Sequence, residues 1–183
     1  FKKVPLSVRH LAGSAAKHLP YFKGKNFLLK CAERPEDYFL GEALVFPEDE
    51  ASAILQDAYA FGPAPHKLAA TFYARAAGWD EVTKKQYLDL NMWLPGDILL
   101  KADKMCMAHS LELRVPFLDK KMMEFASGIP TSYRIRGGET KAVMRHAANR
   151  TLPDEWANRP KKGFPVPIRY WLREEKYYNL VRE

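Results

Sequence analysis

Charged residues that could do chemistry are concentrated in the middle of the chain. Lys101 and Lys104 lie one helical turn apart, and Asp103 lies beside them with apolar residues a turn before it and a turn after it. A carboxylate in apolar surroundings costs on the order of several kcal/mol unless it gains a partner or a solvated pocket. A structural ion pair is therefore the favoured interpretation of Asp103, and a place in a functional site is the alternative.

A second pair of charges follows in an extended stretch. Glu112 and Arg114 alternate with apolar residues, so an extended backbone points both charges to the same side. The next helix is predicted to have Pro116 in its first turn, Asp119 near the positive end of its dipole, and Gly128 at its end.

Lys141 is a third candidate. The glycine pair of YRIRGGE (residues 133–139) predicts a short hairpin, because both glycines tolerate positive φ. Thr140 is expected to cap a helix over residues 141–148, in whose first turn the dipole disfavours a cation. Lys141 there requires a compensating anion or has a reduced affinity for its proton. A solvated surface lysine is the alternative.

A cationic loop lies near the end of the chain, in NRPKKGFPVP (residues 158–167). Its prolines stiffen the backbone everywhere except at Gly163, so the three cations Arg159, Lys161 and Lys162 are held where an anionic group could be received.

The element that positions the first group of charges is a helix predicted from Pro95 to Leu111. It has one apolar arc around Leu99 and Cys106 and a second, roughly opposite, around Leu100 and Met107, which predicts a helix buried on two sides. Other helices are expected over 5–19, 21–34, 36–46, 48–55, 66–77, from Asp80 to the region of Trp93, and 168–181.

Composition excludes several classes of protein. With 183 residues, 47% hydrophobic and 28% charged, the chain fits one globular domain. It has neither a run of about 20 apolar residues for a membrane span nor a signal-peptide core, so we expect a cytoplasmic location. Cys31 and Cys106 are not spaced as metal ligands, so no metal site is expected. The net charge of +7 suits an anionic partner without choosing among nucleic acid, nucleotide and pyrophosphate.

Three segments occur in a recognisable order: LLKADKMCMAHSLELRVPFLD, then ETKAVMR, then RPKKGFPVPIRYWL. They resemble the carboxyl-terminal part of the synthetase domain of the glutamine-hydrolysing asparagine synthetase family. The residues before Trp93 match less distinctively.

The resemblance implies a mostly α fold: the helical C-terminal portion of an α/β adenine-nucleotide α-hydrolase-like (PP-loop) synthetase domain, with at most a short β-hairpin near 133–139. Residues 1–183 would form one partial domain. The ATP-binding parallel sheet is expected to be absent, because the segments SGGxDS and SGEGxDE do not occur, and the amino-terminal glutaminase domain is expected to be absent, because there is no amino-terminal cysteine. The isolated chain is expected to be inactive and to bind no cofactor.

The resemblance also implies a reaction and its participants. In the full-length enzyme ATP and Mg²⁺ would activate aspartate as β-aspartyl-AMP, and ammonia from glutamine would displace AMP to give asparagine. Aspartate, ATP and ammonia are the expected partners, in a homodimer that binds neither nucleic acid nor membrane.

The resemblance assigns roles to particular residues. Lys141 matches a catalytic lysine near the phosphates. The wall facing ATP and pyrophosphate is expected to contain Lys101, Asp103, Lys104 and Arg114. The structural signature comprises Glu112, Asp119, Arg159, Lys161, Gly163 and Phe164.

Three alternatives remain open at this point, and one of them is an all-helical interaction module. A related amidotransferase or β-lactam-synthetase-like ligase would act on another carboxylate. A basic helical module that binds nucleic acid is suggested by the net charge alone.

Overall fold

The computed structural model describes residues 4–20, 22–41, 46, 48–59, 61–163 and 166–182. These residues form helices and one two-stranded antiparallel sheet, so the mostly helical fold with a short hairpin is confirmed. The chain divides into two compact units, Phe1–Thr131 and Ser132–Glu183, which are described separately.

The first unit consists of helices joined by short turns. Its α-helices are α1 (Leu6–Lys17), α2 (Lys25–Ala32), α3 (Pro35–Tyr38), α4 (Glu48–Ile54), α5 (Pro65–Arg75), α6 (Glu81–Asn91), α7 (Leu100–Met107) and α8 (Lys120–Ser127). Short 3₁₀ turns occur at Asp57–Tyr59 and Pro116–Leu118, and a π-helical segment occupies Leu94–Leu99. Helix α9 (Thr131–Arg134) lies at the boundary between the units.

The core of the first unit lies between α3, α5 and α6. Ala69, Tyr73 and Leu88 are buried there, and Phe39 and Leu40 pack against them. The helix predicted over 36–46 is wrong beyond Tyr38, because the chain leaves the helical conformation at Phe39 (φ −96°, ψ 107°) and directs these two residues towards the core. Residues 42–45 of that prediction lie outside the described residues.

Polar contacts link α3, and the residue that follows it, to α5 and α6. The Tyr73 hydroxyl donates to the Phe39 carbonyl (2.8 Å), and burial raises the pKa of that hydroxyl. Lys84 of α6 forms an ion pair with Glu36, and Lys85 Nζ donates to the Tyr38 hydroxyl (2.5 Å). Both partners of the ion pair are mostly shielded from solvent, so the pair contributes more than an exposed one would.

The Glu36–Lys84 ion pair predicts a loss of stability in acid. Burial alone raises the pKa of Glu36, but the hydrogen bond and charge of Lys84 outweigh burial and hold the pKa below its usual 4.5. A lowered folded-state pKa stabilises the fold above the unfolded pKa, and this stabilisation is lost as the pH falls below about 4.5. Between about pH 6 and about pH 3, we expect the thermal midpoint of the full-length protein to fall less steeply in Glu36→Gln than in the wild type. Parallel pH profiles would contradict this account.

The long helix predicted to begin at Pro95 begins instead with the π-helical segment. That segment follows α6 almost directly: Met92 (φ −116°, ψ −67°) is the C-cap of α6, and Trp93, in a helical conformation, precedes the segment. Proline lacks the N–H that a regular ladder uses, and Gly96 adds little helical preference, so a widened turn at this point has a local cause. Such segments interrupt a regular helix and are frequent near functional residues.

The carboxyl end of this helix lies earlier than predicted. Helix α7 ends at Met107, and Ser110 adopts a left-handed conformation (φ 57°). The Leu111 N–H then donates to the Cys106 carbonyl (3.0 Å) and the Ser110 N–H to the Met107 carbonyl (3.0 Å). These two bonds form a Schellman cap, which ends the helix before Leu111.

The prediction that this helix is buried on two sides is wrong for this chain. Leu99 and Cys106 of the first arc are half-buried, whereas Leu100 and Met107 of the second arc are 48% and 56% exposed. An apolar arc is buried only where another layer of structure covers it, and the described residues leave the second arc about half open to solvent.

The second unit is small. It contains a hairpin of β1 (Ile135–Arg136) and β2 (Glu139–Thr140), followed by α10 (Ala142–Ala148), α11 (Asp154–Ala157), α12 (Ile168–Trp171) and α13 (Glu175–Arg182). Ile135 pairs with Thr140 and Arg136 with Glu139. The predicted hairpin is confirmed, and Gly137 (φ 59°) and Gly138 (φ 85°) both have the positive φ that its tight turn requires.

The single helix predicted over 168–181 is wrong, since it is divided into α12 and α13. The N–H groups of Arg173 and Glu174 donate to the carbonyls three residues earlier, which tightens the chain and ends α12. The Glu174 carbonyl then accepts from Tyr177 and Tyr178 as α13 begins. An acidic residue, Glu175, at the start of α13 favours a new helix there through its interaction with the dipole.

Candidate functional site

The charges on the central helix are mostly solvated. Lys101 Nζ lies 3.4 Å from the Asp97 carboxylate, whose other oxygen accepts from the Trp93 indole (3.0 Å). Asp103 and Lys104 are exposed. The favoured structural ion pair for Asp103 is not found among the residues that the structure describes, so its carboxylate is stabilised by solvent in this chain.

The charges after the helix form the predicted pair. Arg114 Nη2 lies 2.5 Å from Glu112 Oε1, although both side chains are largely exposed. Asp119 is the N-cap of α8: its Oδ1 accepts from the N–H groups of Lys121 (3.0 Å) and Met122 (3.3 Å). The helix predicted from Pro116 therefore begins only at Lys120, because the backbone is extended at Asp119 (φ −56°, ψ 140°). The contacts of Asp119 are those of a scaffold residue.

Asp119 predicts a measurable stability difference. Asp119→Ala leaves two N–H groups of α8 without their acceptor, so we expect it to lower the free energy of unfolding by about 1 kcal/mol. Asp119→Asn keeps a capping oxygen and should stay close to the wild type. Urea unfolding of the full-length protein measures both, and equal midpoints for the wild type and Asp119→Ala would show that the cap is not important.

Lys141 has an unusual backbone. It is the N-cap of α10 and adopts a left-handed conformation (φ 59°, ψ 28°), whereas the sequence predicted Thr140 as the cap and Lys141 in the first turn. Thr140 instead pairs with Ile135 in the hairpin, so Lys141 becomes the residue that precedes α10. A left-handed residue with a side chain costs roughly 1–3 kcal/mol and often marks a functional position. This strained residue is an exposed cation, and it lies between the hairpin and α10.

Arg145 of α10 is a residue that the sequence analysis missed. Its Nε donates to the Thr140 carbonyl (3.3 Å) and lies 3.6 Å from Glu139 Oε1. Its Nη1 donates to the carbonyls of Ala157 (3.1 Å) and Arg159 (3.2 Å). Three of these acceptors are backbone oxygens, which every residue has, so the pairing leaves almost no signal in the sequence.

The first residues of the cationic loop are held by side-chain contacts. Asn158 Nδ2 donates to Asn149 (3.1 Å) and Asp154 (2.6 Å), and the Arg159 guanidinium lies 5.8 Å from the centre of the Trp156 ring. Lys161 is exposed.

Two further loop residues belong to the predicted signature. Gly163 has no positive φ, and no described atom lies within 4 Å of where a Cβ would be. Neither the backbone conformation nor the space around this position therefore requires a glycine. Phe164 lies outside the described residues.

Other kinds of site find little support in the described residues. These residues contain no group of three or more His, Cys, Asp or Glu side chains that could hold a metal ion. Cys106 is unpaired and half-buried, as expected of a packing residue. Within the same residues, no helix is both long and apolar enough to cross a membrane.

The predicted site residues are divided between the two units. Lys101, Asp103, Lys104 and Arg114 belong to the first unit. The second unit contains Lys141, Arg159, Lys161 and Gly163, and there Arg145 joins the residue before Lys141 to the start of the cationic loop.

These features describe a mostly helical region with exposed cations, which is compatible with the helical portion of a synthetase domain that the sequence predicts. The chain belongs to the asparagine synthase family, whose family model matches residues 9–183. No solved structure matches it significantly.

Curated relatives of the chain include asparagine synthetases and an amidase. The chain is 38% identical, over its whole length, to "Asparagine synthetase [glutamine-hydrolyzing] 1" of Bacillus subtilis, of which it covers 29%. It is 41% identical over 94% of its length to a "Putative asparagine synthetase [glutamine-hydrolyzing]" of Mycobacterium bovis, of which it covers 26%. The chain is also 30% identical, over 51% of its length, to "Amidase chry2" of Gibberella zeae, of which it covers 15%. The chain thus spans less than a third of the length of these relatives.

Proposed function

We propose that this chain is part of an ATP-dependent, AMP-forming asparagine synthetase that uses ammonia from glutamine. The observation that carries the proposal is Lys141: in a chain of this family, an exposed cation is held in a strained conformation between a hairpin and a helix. Backbone strain persists only where the surrounding structure imposes it, and it is concentrated at sites where positioning matters.

The proposed chemistry needs positive charge at a fixed place. Bound ATP supplies the leaving group that makes the aspartate side-chain carboxylate an acyl donor, through β-aspartyl-AMP. Lys141 would stabilise the negative charge that develops in that step or when ammonia attacks. We assign the other cations, Lys101, Lys104 and Arg114, and the carboxylate of Asp103 to a wall that faces ATP and pyrophosphate.

Several residues are proposed as supports rather than as reacting groups. Glu112 pairs with Arg114, and Asp119 caps α8. Arg159, Lys161, Gly163 and Phe164 belong to the cationic loop. We assign none of these residues to Mg²⁺. Assembly as a homodimer and a cytoplasmic location are further parts of the proposal.

The full-length protein tests the proposal. Incubated with aspartate, ATP, Mg²⁺ and glutamine, it should form asparagine, AMP and pyrophosphate in equal amounts. Ammonium should replace glutamine as the nitrogen source, since the glutaminase step only supplies ammonia. Release of ADP and phosphate instead would exclude the proposed activation step.

A second candidate is an amide-forming enzyme that acts on another carboxylate. The similarity to "Amidase chry2" over half of the chain favours it, because the name of this relative indicates an activity other than asparagine synthesis. A panel of carboxylates that differ from aspartate by a methylene or by a larger group distinguishes the candidates. Preferred turnover of one of them over aspartate would support the second candidate.

A further inference from the structure

The Arg145 guanidinium joins three segments of the second unit. It contacts the last strand of the hairpin through Thr140 and Glu139, the end of α11 through Ala157, and the cationic loop through Arg159. Its side chain is only 18% exposed. The guanidinium is planar and has five donors in fixed directions, so it can hold several carbonyls at fixed distances from one another. A lysine ammonium has no such fixed arrangement of donors.

The contacts of Arg145 have a specific geometric consequence. Thr140 immediately precedes Lys141, and Arg159 is the first cation of the loop. The guanidinium therefore connects the backbone on one side of the proposed catalytic lysine to the backbone that carries the loop cations.

General support of the second unit is supplied separately. The Asn158 amide donates to Asn149 at the end of α10 and to Asp154 at the start of α11, so these helices remain linked without Arg145. The connection that depends on Arg145 is the one between the hairpin and the loop.

We infer that Arg145 is a positioning residue, which fixes the spacing between Lys141 and the cationic loop so that both can meet one anionic substrate. The inference rests on the proposed function of Lys141. Arg145 itself would act through the two backbone segments rather than by contact with the reacting atoms.

Kinetics of the full-length enzyme test the inference. We expect Arg145→Met to lower kcat for asparagine formation by about 10- to 100-fold, as displacement of a reacting group by about 1 Å does, while glutamine hydrolysis changes less than about twofold. KM for ATP should change less than about threefold, because the lysine acts mainly in the transition state. Arg145→Lys should lose nearly as much as Arg145→Met, since it keeps the charge without the fork of donors.

Arg150 provides the matched control. It lies just after α10, and its side chain is exposed. Arg150→Met and Arg150→Lys remove the same chemical groups and should keep wild-type kcat. Wild-type synthesis in Arg145→Lys would overturn the inference, and so would equal losses of synthesis and glutamine hydrolysis together with a lower melting temperature.

Hydrogen exchange tests the positioning without relying on activity. In Arg145→Met, amides of residues 135–141 and 159–163 should exchange faster, with those of α13 unchanged. Unchanged exchange in both segments would overturn the inference even if the enzyme makes asparagine. If exchange rises as expected but the wild-type protein makes no amide from aspartate, the positioning is supported and the proposed function fails.

Discussion

Lys141→Ala in the full-length protein is expected to lower asparagine formation by at least about 100- to 1,000-fold, the loss typical of removing a preorganised group that stabilises transition-state charge. Glutamine hydrolysis should remain largely intact, because that reaction belongs to a separate glutaminase domain in the proposal. The measurement is the rate of asparagine and AMP formation beside the rate of glutamate release.

Lys141→Gly separates the side chain from the backbone. Glycine adopts the left-handed conformation of this position (φ 59°) without the steric cost that alanine carries. The glycine variant should therefore be at least as stable as the alanine variant, and it should be equally deficient in synthesis. Wild-type synthesis in either variant would remove Lys141 from the mechanism.

Leu88→Ala is expected to have the largest effect on stability. Leu88 is fully buried between α5 and α6, in the cluster with Ala69 and Tyr73. Loss of its buried side chain removes apolar contacts and leaves a cavity, so we expect the free energy of unfolding to fall by about 2–5 kcal/mol. Thermal or urea unfolding of the full-length protein measures this change.

Leu90→Ala is the matched control for that change. Leu90 lies two residues further along α6 and is 39% exposed, so the same substitution removes much less buried surface. Leu88→Ala should destabilise clearly more than Leu90→Ala. Equal effects would contradict the placement of the core between α3, α5 and α6.

Much of the fold follows from local signals. The helix predicted from Asp80 is α6, and Asp80 caps it: its carboxylate accepts from the Val82 and Thr83 N–H groups, because a side chain so near the helix start satisfies free donors directly. The hairpin at Gly137 and Gly138 was equally predictable, since few residues other than glycine tolerate its turn. The Glu112–Arg114 pair followed from the alternation of an extended chain.

Other features depend on contacts that sequence patterns do not show. The early exit from α3 at Phe39 is a response to the core formed with α5 and α6, which lie more than 25 residues further along the chain. The apolar arc of Leu100 and Met107 was predicted to be buried, because periodicity reports which residues are apolar and not what covers them. Arg145 was missed since its acceptors are mainly carbonyls.

The candidate site was predictable mainly as a set of residue types. Cations at Lys101, Lys141 and Arg159 could be identified from the sequence, whereas the left-handed backbone of Lys141 could not, because it arises when the hairpin takes up Thr140. The roles of these residues in catalysis stay predictions.

Transfer of an oxygen atom tests the central claim most directly. If the carboxylate oxygen of aspartate attacks the α-phosphorus of ATP and ammonia then displaces AMP, that oxygen leaves with AMP. Aspartate labelled with ¹⁸O in its side-chain carboxylate should therefore give AMP that carries one labelled oxygen, measured by mass spectrometry of the products of the full-length enzyme. Unlabelled AMP alongside newly formed asparagine, or label in inorganic phosphate, would contradict the account.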